Sequence, residues 1–531
     1  MDRAVARHRG LTAGVALAAV PLAFLAVFFA WPVAAIVRLG VGQGGVGDAL
    51  VDGDTWGLVG FTLAQAAAST LVAVAAGLPV AFLLARVPGS GVVRAAVLVP
   101  FVLPTVVVGL AFKALLPGGG PVAIVLANAF FNVAVVARTV GGLWAHLDRR
   151  AEEAARSLGA SRLRAFTSVT LPALTPALGS AAAIVFLFCA TSFGVVLLLG
   201  GSDYRTLETE IYLRTVELLD LPGAAALSLV QFVAVVSVLV IGAVARRKRE
   251  GALRLRGRVE ALRRPVGGEW FAAAAGYAVV ALLAIPIVTL VLRSFEGGFA
   301  GYRALSGTGY RGSLSVTGFE AALNSVRVAT DATLLALLLG VSASVALVVL
   351  GRSRVRPGVV ESLDTALMLP LGVSAVTVGF GYLVTLDALP GDLRTSGALV
   401  PLAQALVVAP LVVRTLLPVL RSVDERLRQA AASLGAGPWR VWREVDIPLA
   451  GRSLLAAAAF GYVVALGEFG ATSFLVRPDT ATLPVVVGRL VGRPGELNNQ
   501  MAYAACTLLM LVTVAIALLV ERLRVRGVGE F

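Results

Sequence analysis

The chain contains twelve apolar runs, each long enough to cross a lipid bilayer as a helix. A membrane-spanning helix needs about 20 predominantly apolar residues, and in lipid only helices and closed barrels satisfy every backbone hydrogen bond. Hydrophobic residues make up 58% of the 531 residues, more than a soluble core could bury. The sequence therefore predicts an all-α polytopic membrane protein. The runs lie at residues 11–37, 58–85, 92–116, 121–145, 174–200, 222–245, 270–292, 326–350, 358–386, 397–420, 452–476 and 501–520.

The distribution of charge predicts how the chain is oriented. The formal net charge is +14, and most of the arginines lie in alternate loops, which the positive-inside rule assigns to the cytoplasm. Both termini are expected on that side. The N-terminal apolar run is longer than the roughly 7–15 residues of a signal-peptide core, so we expect an uncleaved first span. This charge pattern argues against a nucleic-acid partner.

No sequence feature provides a catalytic, cofactor or metal site. A P-loop needs a lysine directly after a glycine to reach the phosphates of ATP, and neither of the two lysines, Lys113 and Lys248, follows a glycine. The two histidines stand far apart, and Cys189 and Cys506 fall inside apolar runs, where they are expected as packing residues. We expect a chain that is not an enzyme and binds no cofactor itself.

The two halves of the chain repeat one another. The arginine-rich stretch at 246–265 separates six apolar runs from six others, so we predict a first six-helix repeat at 1–245, a basic cytoplasmic linker at 246–268 near anionic lipid, and a second repeat at 269–531. Each half starts on the same side, so the repeats are parallel, with a pathway between them. Matched pairs 276 residues apart are Arg138 and Arg414, Gly159 and Gly435, Pro172 and Pro448, and Phe193 and Phe469; Pro100 and Pro370 are 270 apart.

One polar sequence segment occurs in both halves, between the fourth and fifth spans. The first polar segment, residues 152–172, reads EEAARSLGASRLRAFTSVTLP, and the second polar segment, residues 429–448, reads QAAASLGAGPWRVWREVDIP. Each predicts a short helix that ends at a glycine in the left-handed conformation. A second short helix then starts, with Ser161 as N-cap in one copy and Pro438 in the first turn in the other. Pro172 and Pro448 fit the entry to the next span.

This pattern of EAA, three residues, glycine, nine residues, a hydrophobic residue, one residue and LP resembles the coupling-loop signature of a known family. The family comprises the membrane subunits of binding-protein-dependent ABC importers. The resemblance implies a type I importer permease fold in a prokaryotic plasma membrane, two copies of an ATPase subunit docked on the loops, and an extracytoplasmic substrate-binding protein. It assigns coupling to Glu153, Ala154, Ala155 and Gly159, and to Ala430, Ala431 and Gly435; Gln429 departs from the acidic residue of the pattern.

The fusion of two six-span halves is similar to the permeases for thiamine and for ferric iron, and the stretch from Phe188 to Gly201 is closest to the thiamine type. An oxyanion such as sulfate or molybdate, or a polyamine, is the alternative substrate. A twelve-span secondary transporter is the rival class, because it also has parallel repeats. It would need neither duplicated docking loops nor a partner ATPase.

Six residues are candidates for the pathway or a gate. Glu468 is an acid within a predicted span, where a functional role is the default hypothesis. The sequence around Glu468 resembles segments of oxyanion importers, so a structural or gating role is favoured over substrate coordination. Two roles are consistent with the matched arginines Arg138 and Arg414: lining an inner vestibule, or extending their guanidinium groups to the membrane interface. The second role is favoured. The candidates are Arg138, Ser192, Phe193, Arg414, Glu468 and Phe469.

Overall fold

The computed structural model describes residues 2–42, 45–88, 91–247, 265–353, 355–385 and 396–525. These residues form helices, turns and irregular segments, with no β-strand. The first half comprises α1 (Asp2–Leu25), α2 (Trp31–Gly42), α3 (Gly45–Val51), α4 (Gly53–Arg86), α5 (Gly91–Val102), α6 (Thr105–Leu115), α7 (Gly120–His146), α8 (Arg149–Ser157), α9 (Arg162–Ala165), α10 (Leu171–Ala190), α11 (Gly194–Leu199), α12 (Leu207–Val216) and α13 (Leu221–Arg247).

The second half repeats this order of elements. Most of the predicted linker, residues 248–264, lies outside the described residues. The helices are α14 (Glu269–Ser294), α15 (Ala300–Ala304), α16 (Gly318–Arg352), α17 (Pro357–Met368), α18 (Ala375–Thr385), α19 (Leu399–Ser422), α20 (Glu425–Ser433), α21 (Pro438–Val441), α22 (Ile447–Leu466), α23 (Gly470–Leu475), α24 (Leu483–Val491) and α25 (Glu496–Val525).

The described residues contain ten helices that are long and apolar enough to cross a membrane, and two bent helix pairs. Counting each bent pair as one span gives twelve, the number that the apolar runs predict. Three of the long helices pass through a π-helical turn, at Ala26–Ala30, Phe166–Thr170 and Trp442–Asp446. Consequently α9 continues into α10, and α21 into α22, so the short helices predicted after each glycine are the first turns of the next span.

Four predicted spans are wrong as single straight helices. The runs 92–116 and 358–386 are bent, by 99° between α5 and α6 and by 94° at the corresponding break before α18. Pro104 and Pro370 lie at these bends, where a residue without a backbone N–H interrupts the helical ladder. The runs 174–200 and 452–476 also overshoot, because α10 ends at Ala190 and α22 at Leu466 before the separate helices α11 and α23.

The core of each half is a trio of long helices, α4, α7 and α10 in the first and α16, α19 and α22 in the second. Matched glycines allow the first two helices of each trio to approach closely: a Cβ on Gly77 would lie 2.6 Å from Val136, and a Cβ on Gly340 would lie 2.6 Å from Val412. Small residues at such crossings permit the backbone contact that drives helix association in lipid.

The opening helices of the two halves are exchanged in space. Helix α1 packs on α16 and α2 on α18, whereas α14 packs on α4 and α6. Glycines lie at these contacts: a Cβ on Gly14 would lie 2.9 Å from Leu350, and one on Gly276 would lie 2.7 Å from Leu83. The repeats are therefore separate in sequence but interlocked in the structure, around one core cluster that draws on both halves.

Candidate coupling segments and translocation pathway

Both polar segments adopt the same backbone course. Asp148 and Asp424 are the N-caps of α8 and α20, and their carboxylates accept hydrogen bonds from the backbone N–H groups two residues later, at 3.0 and 2.9 Å. Ser161 caps α9, with its hydroxyl accepting from the N–H of Arg164 at 3.3 Å, and α21 starts at Pro438. The predicted starts of the second helices are confirmed, and Pro172 and Pro448 lie in the first turns of α10 and α22.

Each short helix ends at a left-handed glycine, as the sequence predicts. The φ angle is +89° at Gly159 and +83° at Gly435. In both turns the amide that follows the glycine donates to the carbonyl five residues earlier, at 3.1 Å, which is the Schellman arrangement. No atom lies within 4 Å of a Cβ built on either glycine. The backbone conformation, and not crowding, therefore favours glycine at these two positions.

The two segments present equivalent exposed surfaces. Leu158 and Leu434 are each 89% exposed, and Leu163 and Trp439 are 73% and 71% exposed. These apolar side chains occupy matched positions 276 residues apart, a signal that was available in the sequence but was missed. Of the predicted coupling residues, Glu153, Ala154, Gln429 and Ala430 are exposed, and Ala155 and Ala431 are partly buried.

The side chains that tie each short helix to the following helix differ in chemistry. In the first half, the Thr170 hydroxyl donates to the Glu152 carboxylate at 3.1 Å. The matched positions in the second half hold Asp446 and Arg428, which form a buried ion pair with Nε to Oδ1 at 2.8 Å. Arg428 also donates to the carbonyl oxygen of Leu420 at 3.2 Å. Sequence reasoning missed these anchors, although both pairs are separated by 18 residues.

The first polar segment also contacts the start of the second half. The Arg162 guanidinium donates to the carbonyl oxygen of Val266, and Arg149, at the start of α8 just before the segment, pairs with Glu269 at 3.8 Å. Val266 and Glu269 flank the C-terminal end of the predicted linker. The short helix α20 instead pairs through Glu425 with Arg352 of α16, at 3.5 Å. Among the described residues, these contacts place the first polar segment beside the junction between the repeats.

The matched phenylalanines meet where the two halves join. The rings of Phe193 and Phe469 stack with centroids 5.3 Å apart and an interplanar angle of 21°. Tyr212 packs on Phe193 at 5.2 Å and on Phe474 at 5.3 Å. Phe193 and Phe469 are both 5% exposed, so the rings close the joint between the halves in this conformation. Tyr212 and Phe474 were not among the predicted pathway residues.

Ser192 and Glu468 occupy matched breaks in the chain. The Ser192 hydroxyl donates to the Asn128 side-chain oxygen at 2.7 Å. The run 452–476 predicts Glu468 inside a helix, but α22 ends at Leu466, and the Glu468 carboxylate instead caps α23. It accepts from the N–H groups of Ala471 and Thr472, at 2.8 and 3.0 Å, and from the Thr472 hydroxyl. A carboxylate at a helix N-terminus satisfies otherwise unpaired donors.

Arg138 and Arg414 lie at matched positions on α7 and α19, and both are exposed. Among the described residues, no group of three or more His, Cys, Asp or Glu is placed to hold a metal ion.

A known protein family matches part of the first half of the chain. Residues 73–250 match the family described as "Binding-protein-dependent transport system inner membrane component". This match covers α5 to α13 completely and includes the first polar segment and the Ser192–Phe193 break.

Comparison with individual proteins gives relatives along most of the chain. The thiamine transport system permease protein ThiP of Brucella abortus is 26% identical over 94% of both chains. The probable ABC transporter permease protein y4fN of Sinorhizobium fredii is 25% identical over 82% of both chains. The molybdenum transport system permease protein ModB of Escherichia coli is 34% identical, over 25% of this chain and 64% of its own length.

Proposed function

The chain is an inner membrane component of a binding-protein-dependent ABC importer, and from this premise we propose that it forms the pathway through which thiamine crosses the membrane. It has the type I importer permease fold, is a transport protein and not an enzyme, and works with an ATPase and a substrate-binding protein. The expected resemblance is confirmed, and the rival class of secondary transporter is set aside.

The observation that carries the thiamine proposal is the extent of the match to ThiP. That similarity runs through both halves, over 94% of each chain, as expected for a fused permease of the same organisation. The molybdenum permease match spans only 25% of this chain, and the putative 2-aminoethylphosphonate permease PhnV of Salmonella typhimurium covers 39%. Matches confined to one segment reflect the shared permease architecture, so they favour thiamine over an oxyanion.

The proposed coupling mechanism uses one ATPase subunit on each polar segment. The surfaces around Leu158 and Leu434 are apolar and exposed on otherwise polar turns, as expected for residues that a partner covers. Glu153, Ala154 and Ala155, and Gln429, Ala430 and Ala431, form the adjoining helix surfaces. Closure of the two ATPases would move both segments together, and the anchors would transmit this movement to α10 and α22.

The proposed orientation places both polar segments, both termini and the linker 246–268 in the cytoplasm, with repeats at 1–245 and 269–531. The 20 residues of α10 span about 30 Å at 1.5 Å per residue, so the Phe193–Phe469 contact lies on the side opposite the polar segments. We assign this contact to an outer gate that is closed here. Glu468 then has a structural role as the cap of α23, and Arg138 and Arg414 extend to the cytoplasmic interface.

Uptake into proteoliposomes tests the proposal. The permease is reconstituted with its ATPase and its substrate-binding protein, and ATP-driven accumulation of radiolabelled thiamine, ferric iron and molybdate is compared. We expect thiamine uptake that requires ATP and the binding protein. Accumulation of ferric iron or molybdate without thiamine would overturn the substrate while leaving the importer class intact. A substitution of the ATPase Walker lysine is the matched control for ATP dependence.

A further inference from the structure

Four aromatic rings form a continuous row at the joint between the halves. In contact order they are Phe469, Phe193, Tyr212 and Phe474, with each successive pair of ring centroids 5.2–5.3 Å apart. Two rings come from each half, and both Phe193–Phe469 and Tyr212–Phe474 cross the joint. Separation of the halves at the outer side must therefore break both contacts and expose the faces of these rings.

A buried carboxylate lies beside this row. Glu208 is one helical turn before Tyr212 on α12, and its side chain is fully buried. Its carboxylate accepts hydrogen bonds from the Gln231 amide and, across the joint, from the Ser374 hydroxyl at 3.1 Å. Ser374 directly precedes Ala375, whose Cβ would lie 2.9 Å from a Cβ on Gly470, next to Phe469. Glu208 thus lies one helical turn from Tyr212, and its partner Ser374 lies one residue from the Ala375–Gly470 contact beside Phe469.

Glu208 has no cationic partner among the residues that the structure describes. Within the described part of the chain it forms no ion pair, and its contacts are with neutral side chains. Arg205 and Arg214, which flank it in sequence, pair instead with Glu210, at 2.9 and 3.1 Å. A carboxylate that is removed from water without a positive charge is costly, so packing alone does not account for this residue.

The positions related to this cluster by the internal repeat hold neither an acid nor additional aromatic rings. The positions that match Glu208 and Ser374 are Pro484 and Pro104, at offsets of 276 and 270, and the positions that match Tyr212 and Phe474 are Gly488 and Leu198. Because the same fold closes there with apolar residues, the fold itself does not require the acid or the extra rings. They mark one side of the pathway as chemically distinct.

We propose that Glu208 and the rings of Phe193, Tyr212, Phe469 and Phe474 form the permease's own recognition site for a flat aromatic cation. When the outer joint opens, Glu208 loses Ser374 and the rings lose one another. A planar cation replaces both sets of contacts, because its ring stacks on the aromatic faces and its charge pairs with the carboxylate. A tetrahedral oxyanion would gain no stacking and would be repelled by Glu208. This inference rests on the proposed function and specifies the substrate class of the same pathway.

Two variants separate substrate recognition from a merely structural latch. Glu208→Gln keeps groups that can hydrogen bond with Gln231 and Ser374 but removes the charge. Ser374→Ala removes the bond across the joint but keeps the charge. In the complete reconstituted importer, we expect Glu208→Gln to raise the KM for thiamine about tenfold, a loss of about 1.4 kcal/mol in binding, and Ser374→Ala to change it less than about threefold. Tyr212→Leu should raise the KM as well.

The outcomes distinguish the possible failures. Equal effects of Glu208→Gln and Ser374→Ala, with raised ATP hydrolysis in the absence of substrate, would show a latch and overturn the recognition site. Arg489 on α24 provides the test for the opposite charge: a KM that rises with Arg489→Gln but not with Glu208→Gln would indicate an anionic substrate. Absence of thiamine uptake by the unsubstituted importer would instead overturn the proposed function. Monodisperse elution of each variant in detergent controls for folding.

Discussion

The first and second polar segments share a backbone but not the side chains that hold it. Both have an aspartate cap, a left-handed glycine, and an exposed leucine that is 89% accessible. The anchor behind each segment differs: Glu152 accepts from a threonine hydroxyl in one half, whereas Arg428 forms a buried ion pair with an aspartate in the other. The carboxylate of the anchor thus belongs to Glu152 on the short helix α8 in the first half and to Asp446 on the π-helical turn in the second.

This difference shows which features of the two segments depend on backbone geometry. The turn is set by its glycine and by hydrogen bonds within the main chain, so it is the same in both copies. The anchor needs only two complementary groups in contact, and a hydroxyl with a carboxylate or an arginine with a carboxylate satisfies that need. The ion pair is the more vulnerable anchor, because removing one partner leaves a buried charge.

The largest expected effect is the loss of the second anchor. Arg428→Met leaves the Asp446 carboxylate buried without its cation, at a cost of about 3–5 kcal/mol, whereas Glu152→Gln in the first half keeps an acceptor for the Thr170 hydroxyl and loses only the charge on it, at about 0.5–1.5 kcal/mol. We expect Arg428→Met to reduce both thermal stability in detergent and thiamine uptake more than Glu152→Gln does. The double variant Arg428→Met/Asp446→Leu should recover stability. Equal losses from both single variants would show that the two anchors are equivalent.

The next largest effect is expected at the exposed leucines. If docking buries them, Leu158→Ser or Leu434→Ser removes about 1.5–3 kcal/mol of apolar contact with the ATPase. The permease itself should remain stable, since neither side chain packs within it. Pull-down of the ATPase at matched permease levels measures the affinity, and Leu455→Ser on the exposed surface of α22 is the control. Undiminished ATPase binding by both leucine variants would contradict the docking surface.

The left-handed glycines should respond alike in the two segments. A residue with a Cβ costs roughly 1–2 kcal/mol at a left-handed position, and a β-branched residue costs more than alanine. Gly159→Val and Gly435→Val should therefore uncouple ATP hydrolysis from uptake to similar extents. Gly437→Ser is a matched control, because Gly437 lacks the left-handed conformation, has nothing within 4 Å of its Cβ position, and aligns with Ser161. A much stronger effect in one segment would show that the turns are used unequally.

The smallest effect is expected from the charge on the docking surface. Glu153 and Gln429 occupy matched exposed positions, and only Glu153 can form an ion pair with an ATPase. An exposed ion pair contributes about 0.2–1 kcal/mol, so Glu153→Ala should reduce uptake modestly more than Gln429→Ala, and the difference should shrink at high salt. Initial uptake rates at two ionic strengths provide the measurement. Identical rates would mean that packing alone forms the contact.

Local features of the fold were predictable from the sequence, whereas the bends in the spanning helices were not, for a physical reason. The glycine caps and the start of α9 at Ser161 follow from interactions within a few residues, so the pattern of residue types predicts them. The bends at Pro104 and Pro370 were not predicted, because a proline is tolerated within a spanning helix when its neighbours compensate. Pro21 and Pro79 indeed lie inside α1 and α4.

The candidate site divides in the same way. Repetition at a fixed offset identified both polar segments and paired Phe193 with Phe469 before any contact was known. The ring stacking, the cap formed by Glu468 and the burial of Glu208 against Ser374 depend on where the breaks in one half meet the other half. Ser374 lies 166 residues from Glu208, and no local pattern relates the two.

The sequence by itself determined the class of the protein, the placement of its apolar runs, its internal repeat and the geometry of the two polar segments, because hydrophobicity, helix capping and chirality act over short distances. Only the tertiary structure decided that the opening helices are exchanged, with α1 on α16 and α14 on α4. In lipid every apolar helix face is compatible with the solvent, so hydrophobicity does not select a partner. The choice depends on close packing at positions such as Gly14 and Gly276, and this packing exists only once both helices are in place.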